Sequence, residues 1–173
     1  MKNNIVLIGF MGVGKGQIAR KIASRTSYYA VDCDDLIESL VNIKIKKIFR
    51  DSGEEEFRKL EKRTARWLEK NVSETVISTG GGFVNVKNLH KIGSIVYLHA
   101  DFDYIIQRIV SHPNAARKIK KRPLLKSVKD AEKLYAARLP LYKKVADVTV
   151  DVTGKSVDEI ASEICSLYQL IEN

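Results

Sequence analysis

Residues 5–17 read IVLIGFMGVGKGQ: an apolar run, Gly9, four more residues, Gly14-Lys15, and then the IARKIA pattern of a helix. A glycine-rich turn between a strand and a helix N-terminus constrains the chain more than any other feature. Successive backbone N–H groups turned inward at the positive end of a helix make an anion cradle. Gly9, Gly12 and Gly14 allow the tight backbone that such a cradle needs, and Lys15 adds a mobile charge for outer phosphate oxygens. The same spacing without a strand before it and a helix after it would be an ordinary turn; here both are present. One position departs from the pattern. The Ser or Thr expected after the lysine, whose hydroxyl would meet Mg²⁺, is Gly16, followed by Gln17.

A chain of 173 residues fits one domain, 1–173, with a substantial core. No apolar run approaches the ~18 residues that a membrane-spanning helix needs. The N-terminal run resembles a signal peptide only superficially, since it leads straight into Gly14-Lys15 without a cleavage-like segment. Cys33 and Cys165 lie in unrelated segments and suggest no disulfide framework, which favours a reducing, cytoplasmic setting. His90, His99 and His112 lack metal-ligand spacing. The net charge of +9 peaks at Arg117–Arg122, but no aromatic stacking platform accompanies that run. Small anionic ligands account for the excess more economically than nucleic acid.

Apolar strand patterns recur at Ile5–Gly9, Tyr29–Asp32, Thr75–Thr79, Ile95–Ala100 and Val148–Val152. Helix-period stretches separate them at Gln17–Ser24, Glu54–Lys70, Phe102–Val110, Lys129–Tyr142 and Ser156–Ile171. This alternation predicts a three-layer α/β/α domain around a five-stranded parallel sheet. Ser156 and Glu159 form a capping box for the last helix. Two inserts interrupt the alternation: residues 33–61, with two short helical patterns, and the basic residues 111–126, punctuated by Pro113 and Pro123. Such inserts commonly bind an acceptor and form a mobile lid.

Three further groups carry chemistry. Asp32-Cys33-Asp34-Asp35 follows the second strand; strand geometry continued through it would put Asp32 and Asp34 on one side. Two carboxylates there can hold a hydrated Mg²⁺ or take a hydroxyl proton, while Asp34 or Asp35 could equally cap the helix that follows. Ser78-Thr79-Gly80-Gly81-Gly82 ends the third strand and leaves amides free to donate. In Glu54–Lys70 the spacing of Phe57, Leu60, Thr64 and Trp67 predicts a buried stripe, with Arg58 and Glu61 paired on an adjacent face. That pair reads as surface decoration or as an arginine held ready for a carboxylate, and Arg138 poses the same choice.

As a set, GFMGVGK at 9–15, DCD at 32–34, GEEEFRKLE at 53–61, TGGG at 79–82, RPLL at 122–125 and RLPLY at 138–142 resemble the shikimate kinase family. This is a P-loop NTPase-type family of nucleoside-monophosphate-kinase-like enzymes, and the segments match in order and spacing along nearly the whole chain. The resemblance implies phosphoryl transfer from ATP to the 3-hydroxyl of shikimate, with Mg²⁺ as cofactor and Lys15, Asp34 and Arg122 as catalytic groups. It assigns nucleotide contacts to Gly12, Val13, Gly14, Lys15, Gly16, Gln17, Arg108 (packing on adenine) and the lid residue Arg122. Asp34, Phe49, Phe57, Arg58, Gly80, Gly81, Gly82 and Arg138 are implied to bind shikimate, the two arginines at its carboxylate. Asp32 is implied to position Mg²⁺ through water. ATP and shikimate are the implied partners of a monomer that binds no nucleic acid and no membrane.

Gly16-Gln17 departs from the family's two hydroxyl residues. Three explanations stand: a water replaces the lost hydroxyl at Mg²⁺, the substitution is an engineered or cloning change, or the protein binds ligands without turning them over. A same-fold kinase acting on another small hydroxy acid, such as gluconate, is the nearest rival; Arg58, Arg138 and the TGGG segment favour shikimate.

Overall fold

A computed structural model describes residues 3–111 and 127–171. Five parallel strands, β1 (Ile5–Ile8), β2 (Tyr29–Asp32), β3 (Thr75–Ser78), β4 (Ser94–His99) and β5 (Val148–Asp151), form one sheet in the order β2-β3-β1-β4-β5. Eight α-helices are described: α1 (Lys15–Ala23), α2 (Cys33–Val41), α3 (Ile45–Asp51), α4 (Gly53–Asn71), α5 (Leu89–Ile92), α6 (Phe102–Val110), α7 (Val128–Val145) and α8 (Val157–Leu167). The sheet is parallel at every pairing, as the alternation predicts. All four residues of β1 are buried, because the strand pairs on both edges and is covered on both faces.

Most element ends shift by a residue or two, as hydrogen-bond definitions commonly allow, but the helix expected to end at Tyr142 runs to Val145 and the last helix ends at Leu167, four residues before Ile171. The Ser156 cap is present in both directions: its side chain accepts from Glu159 N–H, and its own N–H donates to Glu159 Oε2 at 2.7 Å. The second insert falls on residues 112–126, outside the described residues, so Arg122, the RPLL segment and the basic run lie there too. The first insert becomes α2, α3 and the first half of α4, with a small core of its own from Ile37, Ile48, Phe57 and Leu60.

Two expectations on α4 are corrected. Trp67 is 48% exposed, and the buried face continues instead through Glu61, Ala65 and Leu68. The 3-4-3 spacing tracked one edge of the stripe; the helix buries the neighbouring 4-3-4 set, which aims at the sheet. Glu61 is therefore no surface partner: it is 2% exposed.

Leu68→Ala is expected to cost about 2–5 kcal/mol of stability, and Trp67→Ala about 1 kcal/mol or less. Urea unfolding followed by circular dichroism checks this, since Trp67 is the sole tryptophan and its fluorescence would be lost with it.

Candidate functional site

The C-terminal ends of β1, β2 and β3 converge because β1 lies between β3 and β4 at the centre of the sheet, where an open parallel sheet leaves its crevice. A cavity of about 600 Å³ opens there. The loop residues Gly12 and Gly14–Gln17, the carboxylates Asp32 and Asp34, and Gly80 and Gly81 all line it, as does Arg108. Gly14 caps α1 with φ of 100°, a left-handed backbone that side chains other than glycine rarely adopt. Lys15 is buried, and its ammonium donates to the carbonyls of Gly9 (2.8 Å) and Phe10 (3.0 Å). Arg108 reaches back from α6 to donate to Val13 C=O at 2.9 Å. It thus clasps the loop at Val13, a contact that sequence spacing gave no means of finding.

The acidic segment folds differently from the strand-like reading. β2 stops at Asp32, and α2 begins at Cys33, whose side chain is fully buried. The helix cap is Asp32 itself, not Asp34 or Asp35: its Oδ1 accepts from Asp34 N–H at 2.9 Å. Its other oxygen accepts from the Ser78 hydroxyl at 2.8 Å, a contact fixed by the parallel register that pairs Asp32 with Ser78. Asp34 then stands in the first turn of α2, facing Gly80.

The three glycines explain one another once the side chains around them are located. A Cβ on Gly80 would stand 2.9 Å from Asp34 Oδ1, and one on Gly81 would stand 2.9 Å from Arg138 Nη1. A Cβ on Gly82 would collide with the Arg58 guanidinium. The turn therefore lacks side chains because a carboxylate and two guanidiniums occupy that space. Its carbonyls are tied down, Gly80 C=O accepting from Phe83 N–H (3.0 Å) and Gly81 C=O from the Tyr142 hydroxyl (2.6 Å). The three glycine amides have no hydrogen-bond partner among the described residues.

Arg58 donates to Glu61 at 2.5 Å and to Glu54 at 2.6 Å, and sits 5.5 Å from the centre of the Phe57 ring. Phe57 in turn packs on Phe49 with ring centroids 4.8 Å apart. Phe49, Phe57, Arg58 and Arg138 are not part of the cavity lining; the two arginines stand against the glycine turn, with Phe57 beside Arg58. Arg138 is buried in α7, next to Tyr142. Arg20 and Ser78 also line the cavity; sequence reading put Ser78 in the glycine segment without a role of its own and passed over Arg20. Arg20 was findable, since it lies one turn after Gly16 on α1.

Burial pushes the Asp34 carboxyl up to about 7, reinforced by the Asp32 and Glu61 carboxylates and opposed by Lys15. Burial also raises Glu61, against the Arg58 hydrogen bond. The folded chain thus keeps a proton on Asp34 between about pH 4 and 7, where the unfolded chain has released it. Stability attributable to this group falls as pH rises through that window. Asp34→Asn is expected to stabilise the fold at pH 8 by roughly 2–4 kcal/mol. The gain should shrink toward pH 4. Denaturant titrations at pH 5 and pH 8 read both, and an equal gain at the two values would refute the assignment.

Comparison with known proteins agrees with this geometry. A family model described as shikimate kinase matches residues 11–169. The chain is 39% identical to a shikimate kinase of Caldanaerobacter subterraneus subsp. tengcongensis, with 95% of each chain covered. It is 35% identical to one of Helicobacter hepaticus, with 93% of each covered. In three dimensions it is similar to shikimate kinase from Acinetobacter baumannii in complex with shikimate, with a TM-score of 0.84 and 29% identity over 98% of this chain and 94% of that one. The chain belongs to the shikimate kinase family.

Proposed function

We propose that this protein transfers the γ-phosphoryl group of ATP to the 3-hydroxyl of shikimate, giving shikimate 3-phosphate on the route to aromatic amino acids. The observation that carries the reading is the glycine turn. On one side it borders the phosphate loop; against it lean Asp34, Arg138 and Arg58, one carboxylate and two cations suited to a hydroxylated carboxylic acid.

The residues divide the work as positioning and charge neutralisation. The loop from Gly12 through Val13 to Gly16, with Gln17 after it, cradles the phosphates with backbone N–H groups. Lys15 exchanges the carbonyls of Gly9 and Phe10 for phosphate oxygens. Arg58 and Arg138 grip the acceptor's carboxylate; the Arg58 fork is already set by Glu61 and Glu54. Phe49 and Phe57 support it with an apolar wall. Asp34 orients the acceptor hydroxyl and takes its proton; a carboxyl lifted to about 7 is a better base than an ordinary one. Arg108 follows the nucleotide from its place on the loop. By the resemblance, Arg122, which lies outside the described residues, would offset charge on the transferring group.

Mg²⁺, when bound, offsets charge on the phosphate oxygens. Among the described residues no cluster of three or more His, Cys, Asp or Glu side chains could hold an ion by itself. Gly16 offers no hydroxyl, so Asp32 would act through water on an ion that arrives with ATP, which suits a cation that keeps several waters. Among the described residues no helix is long and apolar enough to cross a membrane. We take the protein to be a cytoplasmic monomer with ATP and shikimate as its partners, and no nucleic acid or membrane.

Shikimate-dependent ADP release, measured over a wide range of Mg²⁺, tests the reaction; binding of both ligands without release would mean a silenced protein. Arg138→Lys should raise KM for shikimate about tenfold or more, with kcat changed less, because a point charge replaces a two-pronged one. Gly16→Ser should raise the rate and lower the Mg²⁺ requirement. A substituted enzyme with the parent's rate and Mg²⁺ profile would show that the position does not limit the chemistry.

A further inference from the structure

The space beside Gly16 has definite walls. A Cβ built there would lie 3.6 Å from Asp32 Oδ2, 3.7 Å from Ser78 Oγ and 3.4 Å from Arg20 Nη1. These are ordinary van der Waals distances, so a serine fits and its hydroxyl would enter a polar corner. Asp32 and Ser78 reach that corner from adjacent strand ends, joined by the Ser78 hydroxyl donating to Asp32 Oδ2 at 2.8 Å. With that proton committed, the lone pairs of Ser78 and the remaining capacity of Asp32 Oδ2 act only as acceptors. Ser78 is buried at 3% exposure yet lines the cavity, and nothing in the acceptor geometry uses it.

We propose that Ser78, with Asp32, replaces the missing loop hydroxyl: the pair accepts the two protons of a water that takes the Ser/Thr position on Mg²⁺ beside Gly16. This rests on the reading of the protein as a Mg²⁺-ATP phosphotransferase. A metal-bound water carries two acidic protons and needs two acceptors, and the corner provides one carboxylate oxygen and one hydroxyl oxygen on the same side of Gly16. A loop serine, ligating with its own oxygen, would bring one such proton instead of two and so need one acceptor fewer. The chain thus keeps the metal's place by moving the protein's hydroxyl from the first helical turn of α1 to the end of β3. Arg20 is the competing occupant of the corner. It has no ion-pair partner among the described residues, and its guanidinium could instead fill the gap and supply charge directly.

Mn²⁺ affinity of the enzyme–ADP complex, read by electron paramagnetic resonance, separates the two without relying on turnover. Ser78→Ala should weaken Mn²⁺ by about tenfold or more while leaving metal-free ADP affinity within twofold. Gly16→Ser in that background should restore Mn²⁺ binding, because the hydroxyl returns to the loop. Thermal melts confirm that each variant is folded. The proposal is overturned if Ser78→Ala leaves Mn²⁺ affinity unchanged, or if Arg20→Ala alone shifts it. Failure of shikimate-dependent ADP release with the Mn²⁺ pattern intact would sink the proposed reaction and spare the metal corner. Failure of the parent protein to bind Mn²⁺ with ADP would sink both.

Discussion

Parallel pairing of β1 with β3 on one side and β4 on the other puts a fully buried four-residue strand at the centre of the sheet, and the rest follows from its C-terminal end. A parallel sheet ends its strands on one edge, so the phosphate loop after β1, the acidic segment after β2 and the glycine turn after β3 emerge side by side. Register then fixes partners. Leu7 is level with Ser78, Thr79 sends its hydroxyl to Leu7 C=O, and Asp32 is level with Ser78. A slip of one residue would put these side chains on the opposite faces of the sheet.

Charge within the site is arranged before any ligand contact is considered. Lys15 is held by two carbonyls and Arg58 by two carboxylates. Both cations are therefore fixed in direction, so the proposed ligands would meet side chains already ordered by the fold. Asp34 is the counterweight. Burial and two neighbouring carboxylates disfavour its charge, so the fold carries an energetic penalty at the group that the proposed chemistry needs as a base.

The sheet, its helices and the gathering of the phosphate loop with Asp32, Asp34, Gly80 and Gly81 were legible in the sequence because they rest on local rules. The strand runs, the loop glycines and the Ser156 cap each follow from a few adjacent residues. Trp67 was misplaced since helical spacing gives a stripe's period but not which of two adjoining stripes meets the sheet; that is decided by α4's rotation against β-strands distant in sequence. The acidic segment was read in part: Asp32 and Asp34 share the cavity and Cys33 turns into the core, but a helix starts at Cys33 and its cap is Asp32. Asp32 caps that helix through one oxygen while its other oxygen is held by Ser78, a partner 46 positions away that local reading does not supply. The glycine turn was read as a surface of free amides; that three side chains from α2, α4 and α7 fill its missing Cβ positions is visible only in three dimensions.

Glu61 shows how the inner layer of such a site escapes sequence reading. At i+3 from Arg58 it has the spacing of a routine surface pair, worth little where water screens it. Here it is nearly fully buried, and its Oε1 has no hydrogen-bond partner among the described residues while lying 3.4 Å from where a Gly80 Cβ would be. A buried carboxylate is costly unless paired, and one oxygen on Arg58 meets only part of that cost. What the arrangement yields is direction: the guanidinium is pinned between Glu61 and Glu54 with its edge against Gly82. The same carboxylate helps to raise Asp34 across the turn. One side chain thus orients the Arg58 guanidinium and disfavours charge on Asp34, so the two groups that the proposed reaction sets at the acceptor share a buried neighbour.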